Sequence, residues 1–231
     1  MHITKISPHD KLIHLIEVNP FVLLLIEYFE LPLLVGHQSV GVYCRKNGIH
    51  PDLFIAIASL YFRLPIPSGY AFSASELPWI VKFLKNSHQY YLNEKYREVL
   101  ALIHQMHELQ PDPELALVEK FFEDYMAEVR EHLAYEENVA FPYFLSLTEG
   151  KPMQQRAFSA EEYLNHHSDI ETKLADLKQL LLVHLAVGRD YVVRRRTIQR
   201  LIELEFDLAV HTRVEEELLV PLVVEIEKQG S

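Results

Sequence analysis

The sequence is poor in the residues that build disulfides and β-strands. It contains one cysteine, Cys44, so an intramolecular disulfide is excluded and a reducing compartment is favoured. Glycine occurs only 7 times and strand-like alternation is scarce, whereas hydrophobic residues make up 49% of the chain. The composition therefore predicts an all-α protein with a sizeable core.

The chain also lacks a surplus of positive charge and a long apolar run. Its formal net charge is −11, which makes nucleic acid and anionic membranes poor partners. The N-terminus has no apolar segment of the signal-peptide kind. The most apolar run, residues 20–35, is interrupted by Glu27 and Glu30 and is too short to span a bilayer. We expect no membrane association and a cytoplasmic location.

Turn-forming residues divide the chain into two helical parts. Residues 1–62 are predicted to form a small helical N-terminal domain, in which Gly48 ends one helix and Pro51 begins another. Residues 63–74 contain two prolines and a glycine, which is typical of a linker. Residues 75–231 contain long helices with short breaks between them, which predicts an up-and-down four-helix bundle.

Capping signals and breaks place the four helices of the bundle, here called A to D. Ser73 and Glu76 can form a capping box that opens helix A, and Ser159 with Glu162 can do the same for helix C. The predicted limits are about 73–109 for helix A, a start at 113 for helix B, a start at 159 for helix C and an end near 227 for helix D.

Two copies of one motif indicate an internal repeat. The stretch "HLAYEENVAFP" begins at His132 and "HTRVEEELLVP" begins at His211, with histidine, glutamate and proline at the same offsets. On a helix, His132 and Glu136 are neighbours on one face, as are His211 and Glu215. A single pair of this kind is usually a solvated surface pair, but a second copy favours a shared role.

The repeat includes two further histidines. The offset between His132 and His211 is 79 residues, and the same offset joins His88 to His167, each of which stands two positions after an asparagine. This spacing indicates a duplicated helical hairpin with one histidine on each helix. It also selects His167 over its neighbour His166.

The histidines and glutamates fall on the inward-facing stripe of each helix, where positions recur at steps of four and three. We expect Pro142 and Pro221 to kink or end their helices beyond this stripe. The predicted inward positions are Leu77, Val81, Leu84, His88 and Tyr91 in helix A, where Lys95 does not fit; Tyr125, Val129, His132, Glu136, Val139 and Tyr143 in helix B; Tyr163, His167, Ile170, Leu174, Leu177 and Leu181 in helix C; and Leu204, Leu208, His211, Glu215, Leu218 and Leu222 in helix D.

Buried imidazoles and carboxylates are costly unless they are compensated. One explanation is a set of His–Glu hydrogen bonds; two symmetric pairs with two more histidines in register favour metal binding instead. Nitrogen and oxygen ligation without thiolate suits iron, manganese or zinc. Ferritin-like sites use more carboxylates, so this histidine-rich set favours a di-iron site. The candidate ligands are His88, His132, Glu136, His167, His211 and Glu215.

At these residues the sequence resembles the hemerythrin-like family, and within it the iron–sulfur cluster repair proteins, also described as regulators of cell morphogenesis and nitric oxide signalling. The motifs "NSHQYY", "HLAYEENVAFP", "NHHSDIE" and "HTRVEEELLVP" cover about residues 75–228. The resemblance implies two irons per chain, held by those four histidines and bridged by the two glutamates, with an oxo or hydroxo bridge. It also implies that Glu128 is an acid that supports the ligands without binding a metal, and His166 is a further candidate for such a supporting role.

The details match the repair branch better than the oxygen carriers. The carriers have a further histidine four residues after the third-helix ligand, where this chain has Glu171, and an aspartate where it has Glu216. One feature departs from the repair branch, because the expected cysteine pair near "LPLLVG" is replaced by Leu33 and Leu34.

The resemblance implies a non-haem di-iron protein that acts in nitrosative and oxidative stress, by donating iron or by handling NO or O2. Two alternatives stay open: an O2- or NO-binding sensor or carrier without turnover, and a di-iron oxidoreductase. Whether the chain is an enzyme is therefore open. The expected partners are NO or O2, or peroxide, and further candidates are iron–sulfur proteins and a second copy of the chain in a homodimer.

Overall fold

The computed structural model describes residues 3–70, 72–109, 111, 113–148, 159–160, 163, 170–185 and 190–229. Within these residues the regular elements are helical, and the only extended pairing is an isolated antiparallel bridge between Lys11 and Ser39. None of the described helices is long and apolar enough to cross a membrane. The α-helices are α1 (Leu12–Val18), α2 (Val22–Tyr28), α3 (Val40–Lys46), α4 (Pro51–Tyr61), α5 (Leu77–Gln89), α6 (Tyr96–Leu109), α7 (Pro113–Tyr135), α8 (Phe141–Thr148), α9 (Ile170–Gln179), α10 (Tyr191–Val214) and α11 (Val220–Gln229). The π-helical segments in the described part of the chain are Tyr90–Lys95, Glu136–Ala140, Leu180–His184 and Glu215–Leu219.

The chain divides into two compact units, each assembled from separate stretches. The first unit consists of Met1–Ser87, Phe141–Ala160 and Val210–Ser231, and the second consists of His88–Ala140 and Glu161–Ala209. These units group residues by contact and do not follow the predicted domains in chain order. The predicted limits of 1–62, 63–74 and 75–231 therefore stay a prediction.

A buried helix lies at the centre of the N-terminal part of the first unit. Every residue of α4 from Leu53 to Tyr61 is buried, so this helix is apolar on all sides and is enclosed by its neighbours. The turn before it uses Gly48 at φ +76°, a left-handed conformation that suits a residue without Cβ. Pro51 then opens α4, as the sequence predicts.

The N-terminal residues of the first unit pack against the beginning of α5. The ring of Phe29 lies 6.1 Å from that of Trp79 and 5.5 Å from that of Phe83. The backbone N–H of Ser73 donates to Glu76 Oε2 at 2.7 Å, which forms one half of the predicted capping box. The helix itself begins at Leu77 rather than at Ser73, because residues 74–76 form a turn. The end of helix A at 109 and the start of helix B at 113 agree with the prediction. The predicted capping box of helix C includes Glu162, which lies outside the described residues.

The predicted inward stripe is confirmed for most of its described positions. The confirmed positions are at most 6% exposed: Leu77, Val81, Leu84, His88, Tyr91, Tyr125, Val129, Glu136, Tyr163, Leu174, Leu177, Leu181, Leu204, Leu208, His211, Glu215, Leu218 and Leu222. Lys95, which the pattern left out, is also buried at 4% exposure. Its ammonium group is 3.1 Å from Glu98 and 3.2 Å from Glu203, so ion pairs offset its burial within the second unit.

In helix B the predicted inward stripe is wrong beyond Glu136. Val139 is 42% exposed, while Ala140 and Phe144 are fully buried. The cause is the π-helical segment Glu136–Ala140, which contains one residue more per hydrogen-bonded turn and so shifts the following positions. At the predicted kink or end near Pro142 the structure has a change from α- to π-helix. This change precedes the proline, which is the second residue of α8.

Candidate metal centre

The second unit brings three of the six predicted ligands together. His88 Nε2 lies 3.1 Å from Glu136 Oε2, and His132 Nε2 lies 3.2 Å from Glu136 Oε1. The side chains of His88 and Glu136 are fully buried, and that of His132 is 10% exposed. Each carboxylate oxygen therefore faces a different imidazole nitrogen, so both oxygens lie beside potential metal ligands.

The buried carboxylate of Glu136 also receives a hydrogen bond from a phenol. The Tyr163 hydroxyl donates to Glu136 Oε1 at 2.8 Å, and Tyr163 is only 1% exposed. The helical pattern predicted that Tyr163 faces inward but gave no role to its hydroxyl group. This bond restricts the rotation of the carboxylate and so helps to hold its two oxygens toward the two imidazoles.

A second carboxylate orients the His88 ring from its other side. His88 Nδ1 lies 2.9 Å from Glu137 Oε1, and the Glu137 side chain is 33% exposed. Histidine ligands of metals commonly make such a bond through the ring nitrogen that does not bind the metal. Sequence reasoning missed Glu137, although it stands next to the predicted ligand Glu136.

The first unit contains the other predicted His–Glu pair. His211 Nε2 lies 3.3 Å from Glu215 Oε1, and the two side chains are 4% and 0% exposed. His211 Nδ1 lies 2.8 Å from the hydroxyl oxygen of Ser87, which is fully buried. The pair repeats the arrangement of His132 with Glu136, and the second ring nitrogen of His211 has a protein partner, as that of His88 does.

The backbone repeats with the same period as the ligands. A π-helical segment begins at Glu136 and another begins at Glu215, 79 residues later, and each has a proline two residues after its end. Segments of this kind occur frequently at functional sites. The coincidence supports the duplication and marks both glutamates as special positions in their helices.

Glu128, the acid predicted to support the ligands, has an exposed side chain. Its side chain is 58% exposed and forms an ion pair with Lys173. The residue 79 positions later, Asp207, is 1% exposed and accepts a hydrogen bond of 2.9 Å from Tyr91. The ion pair with Lys173 does not support the role of Glu128, which stays a prediction. The 79-residue repeat could have identified Asp207 as a buried acid at the equivalent position.

The remaining two candidates, His166 and His167, lie outside the described residues. For the others, the donor chemistry fits a metal cation: imidazole nitrogens and carboxylate oxygens meet in a buried setting, and the cluster containing His88 and Glu136 could hold a metal ion. A cation would offset the cost of burying Glu136 and Glu215, each of which is 0% exposed.

Comparison with known proteins gives one match. A family model described as "Hemerythrin HHE cation binding domain" matches residues 80–223, which is more than half of the chain and includes all six candidate ligands. No curated protein and no solved structure matches the chain.

Proposed function

The chain belongs to the hemerythrin HHE cation-binding domain family, and from this premise we propose that it is a non-haem di-iron protein of the iron–sulfur cluster repair type. The family match, together with the helical elements, confirms the predicted all-α hemerythrin-like fold and a metal-binding function. The proposal adds that the cations are two irons per chain. It further adds a cytoplasmic role in nitrosative and oxidative stress, through iron donation or the handling of NO or O2.

The observation that carries the proposal is the position of Glu136 between His88 and His132, with one oxygen toward each. His211 with Glu215 repeats the pattern in the other half of the sequence. Four histidines and two glutamates would hold the irons: His88, His132, Glu136, His167, His211 and Glu215. This set leaves coordination positions for a small exogenous ligand, and two irons would supply redox chemistry there.

The side chains around the ligands have definite tasks. The Tyr163 hydroxyl fixes the Glu136 carboxylate by donating to Oε1, and Glu137 fixes the His88 ring. Burial of His88 and Glu136 excludes bulk water from these donors. A small neutral molecule such as NO or O2 is better suited to such an interior than a large charged substrate is.

The repair-type proposal does not include cysteine chemistry in the N-terminal part. Where the resemblance expects a cysteine pair, the chain exposes Leu33 and Leu34, at 62% and 87%. The only cysteine, Cys44, is fully buried in α3. Iron donation or ligand handling would therefore depend on the His–Glu ligands alone.

Iron content and optical spectra test the di-iron part of the proposal. Protein expressed with iron supplementation and purified anaerobically is expected to contain about two irons per chain. On oxidation it should show the near-ultraviolet charge transfer of a bridged ferric pair. Glu136→Ala should lose most of the iron, whereas Glu123→Ala, an exposed change on α7, should keep it. Stoichiometric zinc with no such absorption would overturn the di-iron assignment.

Cluster reconstitution tests the repair part. The iron-loaded protein is incubated anaerobically with a purified iron–sulfur protein whose cluster has been damaged by NO, in the presence of sulfide and thiol. Recovery of cluster absorbance with the wild type but not with Glu136→Ala supports iron donation. Anaerobic NO addition with product analysis then separates reversible binding, which would favour a sensor, from turnover, which would favour an oxidoreductase.

A further inference from the structure

The hydrogen bonds of Ser87 determine which nitrogen of His211 carries a proton. The Ser87 hydroxyl donates to the backbone carbonyl of Leu84 at 2.7 Å, in the first unit. A hydroxyl group has a single proton, so toward His211 Nδ1, at 2.8 Å, Ser87 acts as acceptor. The hydrogen of the neutral His211 ring is therefore on Nδ1. Its Nε2, the nitrogen that faces Glu215 at 3.3 Å, is the one with a lone pair to offer.

In the second unit, the ring hydrogen of His88 is also placed on Nδ1, here because of Glu137. A carboxylate only accepts, so Glu137 Oε1 at 2.9 Å receives the hydrogen of His88 Nδ1. His88 Nε2, which faces Glu136 Oε2 at 3.1 Å, is then the nitrogen directed toward the metal ligands. A bond to a carboxylate is charge-assisted and makes the imidazole a stronger electron donor than a bond to a neutral hydroxyl group does.

Resting on the proposed metal-binding function, we propose that Ser87 and Glu137 are positioning residues that hold His211 and His88 as Nδ1–H tautomers, each with Nε2 presented to a metal. The two supports differ in charge, since Glu137 offers a carboxylate and Ser87 a neutral hydroxyl group. Only one of these two residues has an equivalent of the same type in the internal repeat. The 79-residue offset pairs Glu137 with Glu216 in the sequence, but it pairs Ser87 with His166.

Nuclear magnetic resonance of the metal-free protein tests the tautomers without any metal. The protein is labelled with ¹⁵N-histidine and examined near pH 8, where an ordinary imidazole is neutral. We expect Nδ1 of both rings to carry the hydrogen, and Ser87→Ala to change the His211 pattern alone. A hydrogen on Nε2 of either wild-type ring, or an unchanged His211 pattern in Ser87→Ala, overturns the assignment for that ring.

Ser59→Ala is the matched control for the serine. Ser59 is also buried, at 1% exposure, and its hydroxyl donates to the carbonyl of Ile55 at 2.7 Å in α4. The control removes a buried serine with a helical carbonyl bond but without a histidine partner among its described bonds. It should change neither histidine pattern. Circular dichroism of each variant verifies that the helices are retained.

Affinity for Fe²⁺ provides the second readout, measured anaerobically by competition with a chromophoric chelator. Ser87→Ala and Glu137→Ala are each expected to weaken binding about 10–100-fold. Glu137→Gln keeps an acceptor for Nδ1–H but removes the charge, so it should restore part of the loss. Glu123→Gln on α7 should have no effect, and wild-type affinity in Glu137→Ala would overturn the positioning role.

The two readouts separate the inference from the proposed function. If wild-type protein binds no Fe²⁺, the proposed function fails, and the tautomer assignment is still decided by resonance. If the wild type binds Fe²⁺ but the Ser87→Ala and Glu137→Ala variants bind it equally well, the proposed function stands and the inference fails.

Discussion

Tyr91 donates a hydrogen bond to Asp207 across 2.9 Å, and both side chains are buried, at 0% and 1% exposure. Asp207 stands one helical turn before His211, as Glu128 stands one turn before His132. The equivalent positions in the two halves thus have opposite environments, because Glu128 is 58% exposed. The duplicated sequence has kept the acid in both halves, while only the second copy is enclosed.

Replacing Asp207 should therefore cost stability, whereas replacing Glu128 should not. Asp207→Ala deprives the buried Tyr91 hydroxyl of this acceptor, which is expected to lower the free energy of unfolding by about 1–3 kcal/mol. Asp207→Asn keeps an acceptor and should cost less. Urea unfolding of the metal-free protein measures both, and Glu128→Ala, whose partner Lys173 is a surface residue, should stay within about 1 kcal/mol of the wild type. Equal losses at Asp207 and Glu128 would contradict the assignment.

The part of the site that the sequence predicted rests on repeated spacing. His88, His132 and Glu136 were placed on inward-facing stripes by steps of three and four residues, and the structure places a Glu136 oxygen within 3.2 Å of each histidine. Helix periodicity determines which face a residue occupies, so a ligand set on such faces is accessible from sequence. The duplication then supplied the second His–Glu pair.

The supports of the ligands were not predictable in this way. Ser87 directly precedes the ligand His88, and Glu137 directly follows the ligand Glu136. On a helix, adjacent residues point about 100° apart, so periodicity alone gives these two no inward position. Their bonds to His211 and His88 depend on the separation and rotation of two different helices. The π-helical segments were missed for a related reason, since a change in the backbone ladder leaves the apolar pattern almost intact. In helix B it appears only as the shift of the buried position from Val139 to Ala140.

The prolines that follow the π-helical segments offer a test of why those segments form. A proline inside an α-helix lacks a donor and clashes with the preceding turn, at a cost of about 3 kcal/mol relative to alanine. We expect Pro142→Ala and Pro221→Ala to recover part of this cost in the metal-free protein and to weaken Fe²⁺ binding, because a regular α-helix would displace Glu136 or Glu215.

Urea unfolding and chelator competition measure the two effects of the proline variants. Pro78→Ala is the control, because α5 begins after a turn and Pro78 is its second residue, so no helical hydrogen bond is lost there. Pro142 and Pro221, in contrast, follow directly on helical segments. Unchanged metal affinity in both proline variants would show that the π-helical segments do not depend on the prolines.

The single cysteine should be unreactive in the folded protein. Burial raises the pKa of the Cys44 thiol to about 12, from 9.0, so its thiolate fraction near pH 8 falls on the order of 1000-fold. Labelling with a thiol-specific disulfide reagent is expected to be very slow under native conditions and complete in denaturant. Rapid native labelling would mean that α3 opens readily.

Alkaline conditions should destabilise the N-terminal helices through Tyr43. Burial raises the pKa of Tyr43 to about 12, and its hydroxyl donates to the Pro32 carbonyl at 2.6 Å. Between about pH 10 and pH 12 the unfolded chain loses this proton while the folded chain keeps it, so stability falls as the pH rises. Tyr43→Phe should reduce the slope of this loss, whereas Tyr191→Phe, at a 64% exposed tyrosine, should leave it unchanged. Equal slopes in all three proteins would contradict the prediction.

The adjacent histidines His166 and His167 test the duplication itself, since both lie outside the described residues. The 79-residue offset pairs His167 with His88, a buried histidine beside Glu136, and pairs His166 with Ser87, which supports a ligand without being one. His167→Ala should therefore lose or loosen one iron and alter the optical spectrum. His166→Ala should keep about two irons per chain and at most weaken their affinity. Iron per chain, measured for both variants, decides between the residues, and the opposite ranking would show that the third helix is out of register with the repeat.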